Sequence, residues 1–150
     1  MKLEILAGAY YEWLQVQGLR PVTQGSYRQY LEWMLGYFEK EEITTLDRYN
    51  EDALSTYQLH LYSAQTRIGE KRPLSVYHQK HAVVVMKSFS KFLVETGHLL
   101  RDPSSHLKYP KLPQRLPATL SVQDVEKILS VPDTTALLGF RDRTILEVLY

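Results

Sequence analysis

Few residues in this chain are arranged for bond-making chemistry. His78 and His81 stand three apart, a spacing that can hold a metal on one helix face, but no carboxylate or cysteine lies near them in sequence to complete a shell. Cysteine is absent, which excludes a disulfide scaffold, a thiolate zinc site and a cysteine nucleophile. No glycine-rich phosphate loop or Gly-Lys-Ser/Thr motif occurs, so neither a nucleotide nor any other cofactor is indicated. No nucleophile stands beside an evident base, which argues against a self-sufficient enzyme. The stronger signal is charge. Residues 60–115 carry ten Lys/Arg and three Asp/Glu, a net +7, in a chain whose total is +1. Residues 1–59 are at −4 and residues 116–150 at −2. Such a block fits an anionic partner, and the plain alternative is a solvated basic face.

The elements carrying this block read as helical throughout, so the fold class is all-α. Leu3, Leu6, Tyr10, Trp13 and Leu14 recur at three- and four-residue steps and predict a helix over 2–17. Gly18 stops it and Pro21 blocks continuation. Thr23 is placed to cap a second helix running to about Lys40, and Asn50 a third, with Glu51 and Asp52 in its first turn. Gly69 ends that region. Ser75 caps a long fourth helix whose stripe is Val83, Met86, Phe89, Phe92 and Leu93, ending at Gly97. Pro103, Pro110, Pro113 and Pro117, interleaved with Lys108, Lys111 and Arg115, predict an extended basic linker over 101–118. Ser121 and Asp124 form a capping box, Pro132-Asp133 breaks the short helix that follows, and a last helix begins near Leu137. It still runs at Tyr150 with an apolar stripe, so the chain reads as a fragment of something longer. With 150 residues, 44% apolar, it has room for one domain or a small domain plus part of another. No run of eighteen apolar residues exists, and Glu4 interrupts the only apolar N-terminal stretch, so a cytoplasmic protein off the membrane is expected.

Several motifs, taken in order, resemble a known family. Leu19-Arg20-Pro21-Val22-Thr23 followed by Tyr27-Arg28-Gln29-Tyr30-Leu31 is similar to the opening helices of the tyrosine recombinases, the phage-integrase and Xer-type enzymes, with Gln29 and Tyr30 replacing the usual Arg and Asp. Leu74-Ser75, then Phe89-Ser90-Lys91-Phe92-Leu93 before Gly97, matches the family's fourth helix. Asp102-Pro103 fits its following turn, and Leu116-Pro117 with Leu120-Ser121 its junction into the catalytic domain. Gly139-Phe140-Arg141-Asp142-Arg143 and Leu146-Glu147-Val148-Leu149-Tyr150 resemble the first long helix of that domain.

The resemblance implies a four-helix, SAM-like core-binding domain over 1–100, the linker over 101–118 and the start of a catalytic domain over 119–150. In the family, helices two and four lie against the major groove of double-stranded DNA, and protomers assemble on the DNA. The parent enzymes cut and rejoin DNA through a 3′-phosphotyrosyl link. Their catalytic Arg, Lys, His-x-x-Arg pair and nucleophilic Tyr follow the helix at which this chain stops, so no catalytic residue is assigned. Arg141 and Arg143 are expected to pair with Asp142 and Glu147, and Tyr150 is not a nucleophile.

The DNA-binding candidates are Thr23, Arg28 and Gln29 on the second helix and His78, Gln79, Lys80 and Lys87 on the fourth. Lys108, Lys111 and Arg115 of the linker join them as phosphate contacts. Gln79 is suited to adenine, and Lys80 or Lys87 to guanine or phosphate. Arg28 has a competing structural role, an ion pair with Glu32 four residues on. A different function class also stands: a non-catalytic helical protein–protein interaction module, or a recombinase remnant.

Overall fold

The computed structural model describes residues 1–64, 72–113 and 119–150. Gly69, Arg115 and the Leu116-Pro117 pair lie outside them. The described residues form α1 (Leu3–Val16), α2 (Pro21–Lys40), α3 (Glu51–Ser63), α4 (Val76–Glu95), α5 (Val122–Ser130) and α6 (Leu137–Leu149), with a short 3-10 turn at Leu46–Arg48. No strand forms among them, and the chain is all-α. Two compact units result, Met1–Leu112 and Pro113–Tyr150.

Local chemistry sets most helix ends. The Asn50 side chain accepts from the Ala53 N–H at 3.0 Å, and Ser75 accepts from His78 N–H at 3.2 Å. Gly18 and Gly97 take φ of 70° and 74° just past α1 and α4, a region open to glycine at no steric cost. Thr23 does not cap α2. That helix starts three residues earlier, with Arg20 as cap residue and Pro21 at its first position. Proline's fixed φ suits that position, and its missing N–H would have had no helical partner there. Replacing Asn50 with Ala removes the one side-chain cap of α3 and is expected to cost about 1 kcal/mol. A denaturation midpoint unchanged from the parent chain would contradict this.

The core of the first unit follows from the helical stripes. Leu3, Leu6, Tyr10 and Leu14 of α1, Leu31, Met34 and Phe38 of α2, Leu54 and Tyr57 of α3, and Val83, Met86, Phe89 and Leu93 of α4 are buried together. Rings dominate its centre. Phe89 meets Tyr10 edge-on at 5.3 Å and Tyr49 at 5.6 Å between centroids. The two phenols satisfy their hydroxyls on α4: Tyr10 donates to Ser88 Oγ at 2.8 Å, and Tyr49 shares a 2.8 Å bond with Ser90 Oγ. Burial pushes both hydroxyls far above the usual phenol range, so they stay protonated. The N-terminus is tied down by Leu3 N–H to Thr44 C=O at 3.0 Å and Leu46 N–H to Met1 C=O at 2.9 Å.

Residues 102–112, part of the extended basic linker expected over 101–118, do not stand between the two units. They fold back onto α3 and α4, burying Pro103, Ser104 and Leu107. The prolines do forbid helix here, but they leave an extended segment free to pack, and Leu107 supplies the apolar anchor. This strap belongs to the first unit.

In the second unit, α5 carries the expected cap: Ser121 Oγ accepts from Asp124 N–H at 3.2 Å and donates to its carboxylate at 2.7 Å. After Pro132, the Asp133 carboxylate accepts from the Thr135 N–H at 2.9 Å and its hydroxyl at 2.6 Å. The α5–α6 turn then passes so close that a Cβ on Gly139 would collide with the Asp133 carbonyl. Neither helix has a fully buried residue.

Candidate nucleic-acid interface

The candidate residues on α2 and α4 are joined by a cluster of rings. The Tyr30 hydroxyl and His78 Nδ1 share a 3.1 Å hydrogen bond. Trp33 stacks on the His78 ring at 5.0 Å and 25°, and Tyr30 meets His81 at 5.5 Å. Pairs three apart on each helix thus face each other, which fixes the two helices side by side along their outer edge. Sequence reasoning missed Trp33. Its signal was the Tyr30/Trp33 pair matching the spacing of His78/His81.

Burial first, and the His81 ring second, hold the His78 imidazole below its ordinary value. The folded chain therefore takes up this proton less readily than the unfolded one. The stabilisation is complete above about pH 6.5, the ordinary imidazole value, and is lost as pH falls through the lowered folded value. Thermal midpoints are expected to fall between about pH 7.5 and about pH 5.5, and to fall less in His78→Gln. An identical pH response in that variant would show that His78 is not the group responsible.

The remaining candidates divide by what already holds them. Arg28 does not pair with Glu32. Its guanidinium lies over the Tyr11 ring of α1, 4.5 Å from the centroid, because the ring face offers both contact area and attraction where Glu32 offers only an exposed partner. The exposed Gln29 makes no side-chain hydrogen bond to any described residue, and neither does the half-buried Lys80. Thr23 is half-buried near the start of α2. Gln79, by contrast, donates its amide to the Leu74 carbonyl at 3.0 Å, and Lys87 donates to the Ser104 carbonyl at 2.9 Å.

Lys108 and Lys111 stand on the rim of a groove of about 590 Å³ in the first unit. Leu59 and Tyr62 of α3 and Val76 and Gln79 of α4 also line it. The strap is held there by Gln58 Nε2, which donates to the Lys108 carbonyl at 2.8 Å, and by a 2.8 Å bond between Ser55 Oγ and His106 Nε2. The structure thus brings Gln79, Lys108 and Lys111 to one groove and places His78 at the α2–α4 seam. Arg28 sits apart, against α1.

Three further cations are held by carboxylates. Lys91 pairs with Glu95 at 3.4 Å, Arg141 with Asp142 at 2.6 Å and Arg143 with Glu147 at 2.9 Å. No group of three or more metal-ligating side chains occurs among the described residues, and no helix there is long and apolar enough to cross a membrane. What stays uncommitted among the described candidates is the Gln29 amide and the Lys80, Lys108 and Lys111 ammonium groups, donors of the kind that bond phosphate oxygens and base edges.

The chain is similar to several curated proteins. It is 36% identical over 143 residues to tyrosine recombinase XerC 2 of Ralstonia nicotianae, covering 95% of this chain and 41% of that one. It is 32% identical over 136 residues to tyrosine recombinase XerD of Lacticaseibacillus casei, with 89% and 42% covered. Against the XerD of Staphylococcus haemolyticus the figures are 29% over 149 residues, 99% and 48%. The chain thus spans less than half the length of each of these relatives. No protein-family model and no solved structure matches it.

Proposed function

Since this chain belongs to the tyrosine recombinase family, we propose that it is the core-binding portion of a site-specific recombinase and holds double-stranded DNA through α2, α4 and the strap. In this reading the SAM-like core-binding unit takes in the strap and ends near Leu112, and the start of a catalytic domain lies over 119–150. The full-length enzyme would integrate or recombine DNA in the cytoplasm, with further protomers on the same site. This chain alone binds without cutting.

The observation that supports the reading is that Lys80, Lys108 and Lys111, described residues of the basic block 60–115, make no side-chain hydrogen bond or ion pair to a described residue. They would contact phosphates, joined by Arg28 from α2, by Arg115, which lies outside the described residues, and by Thr23 near the start of α2. Gln29, exposed and uncommitted, is the better base reader, because the Gln79 amide is already bonded to Leu74. His78, Gln79 and Lys87 would act from behind by holding the surface in place.

The test is fluorescence anisotropy of a labelled mixed-sequence duplex titrated with the chain. Saturable binding at low salt supports the reading, and no binding at low salt overturns it. A second reading, a protein–protein interaction module, draws on one observation: Leu137, Leu138, Phe140, Val148 and Leu149 of α6 are exposed. It would gain from absent DNA binding together with association of the chain on a gel-filtration column.

A further inference from the structure

We propose that Lys87 is a positioning residue, which fixes the basic strap against α4 so that Lys108 and Lys111 are presented to an anionic backbone in a set place. The inference rests on the DNA-binding reading and assigns Lys87 a role other than touching DNA itself.

The geometry carries it. Lys87 is half-buried, and its ammonium donates to the Ser104 carbonyl at 2.9 Å while lying 5.6 Å from the Tyr109 ring centroid. Ser104 is fully buried and is itself held, its N–H and hydroxyl both donating to Asp102 Oδ1 at 2.8 and 2.6 Å. Leu107 N–H then donates to the Ser104 carbonyl at 3.1 Å, so that oxygen takes both the turn of the strap and the ammonium. Lys87 therefore grips the strap at its turn and again at Tyr109, on either side of Lys108. Ser55 and Gln58 hold the same segment from α3. A charge-assisted bond to a buried carbonyl is about twice as strong as a neutral one, so Lys87 is the strongest of the three ties. One of its three donors is spent on the carbonyl and its charge faces the Tyr109 ring, which leaves this half-buried ammonium worse placed to meet a phosphate than an exposed one. The lysines it positions are both exposed.

Two measurements on the full chain test this. The first is a double-mutant cycle in DNA affinity across a salt series, using a mixed-sequence duplex. Lys87→Met keeps the apolar stem and removes the donor. It is expected to weaken binding roughly three- to tenfold, about the cost of ordering one long side chain. In a Lys108→Gln/Lys111→Gln background it should change neither affinity nor salt slope, and Lys87→Arg should restore binding. If Lys87 instead contacts phosphate, Lys87→Met will flatten the slope by about 0.9 in either background, and the proposal falls. The second measurement is hydrogen exchange at the Ser104 and Leu107 amides, which needs no DNA. Lys87→Met should speed exchange there while the α1 and α3 amides keep their protection, which also shows that the variant folds. Unchanged protection at Ser104 and Leu107 overturns the proposal even if DNA binds. Loss of protection with no DNA binding by the parent chain would leave the tie standing, but would sink the DNA role and the reading beneath it.

Discussion

The affinity of this chain for duplex DNA should fall steeply with salt, with a slope of log K against log[salt] of roughly −4 to −5. Each phosphate neutralised on duplex DNA contributes about −0.9, through the counterion it releases. Five cations are counted as contacts: Arg28, Lys80, Lys108, Lys111 and Arg115. Lys91, Arg141 and Arg143 are left out because carboxylates already hold them. Between 50 and 200 mM salt this slope removes about two and a half to three decades of affinity. Changing Lys108 and Lys111 together to Gln should flatten the slope by roughly two, whereas Lys91→Gln should leave it unaltered. Binding that ignores salt would mean that the net +7 of residues 60–115 is solvated surface, and the DNA reading would go with it.

The largest loss of stability is expected from Phe89→Ala, about 3–5 kcal/mol. Phe89 is fully buried, and its ring stands edge-on to Tyr10 and Tyr49 and stacks with Phe92 at 6.1 Å. Its removal opens a cavity where Tyr10 of α1, Tyr49 and α4 meet, and a close-packed core closes such a space only in part. The hydroxyls of Tyr10 and Tyr49 add to the cost, because their bonds to Ser88 and Ser90 depend on where the rings lie. Trp13 and Trp33 both lie in the first unit, so tryptophan fluorescence during urea unfolding follows that unit alone. A loss below about 1 kcal/mol would mean that this ring cluster is not the centre of the core.

Helix existence was legible in the sequence because its causes are local. Apolar spacing along 2–17 and 75–97 needs only the chain within one or two turns, and so do the Asn50, Ser75 and Ser121 caps. Where local rules competed, the sequence was less decisive: Thr23 and Pro21 both mark a helix start, and proline's fixed φ won. The membership of the family was equally legible, since it rests on the order of short motifs.

The state of the candidate site was settled only in three dimensions. Arg28 had an acidic neighbour four residues on, but Tyr11, from another helix, took it. The 3.1 Å Tyr30–His78 bond joins residues 48 apart, and the Gln58 bond to the Lys108 carbonyl joins residues 50 apart. Sequence spacing carries no signal for such pairs. Four prolines announced an extended segment and nothing about where it would lie. Its path depends on a buried Leu107 and a lysine 17 residues before Ser104, contacts that arise only when α3 and α4 are already packed. The residue types and their helices were thus set by local chemistry, while the division into engaged and available groups came from packing between distant parts of the chain.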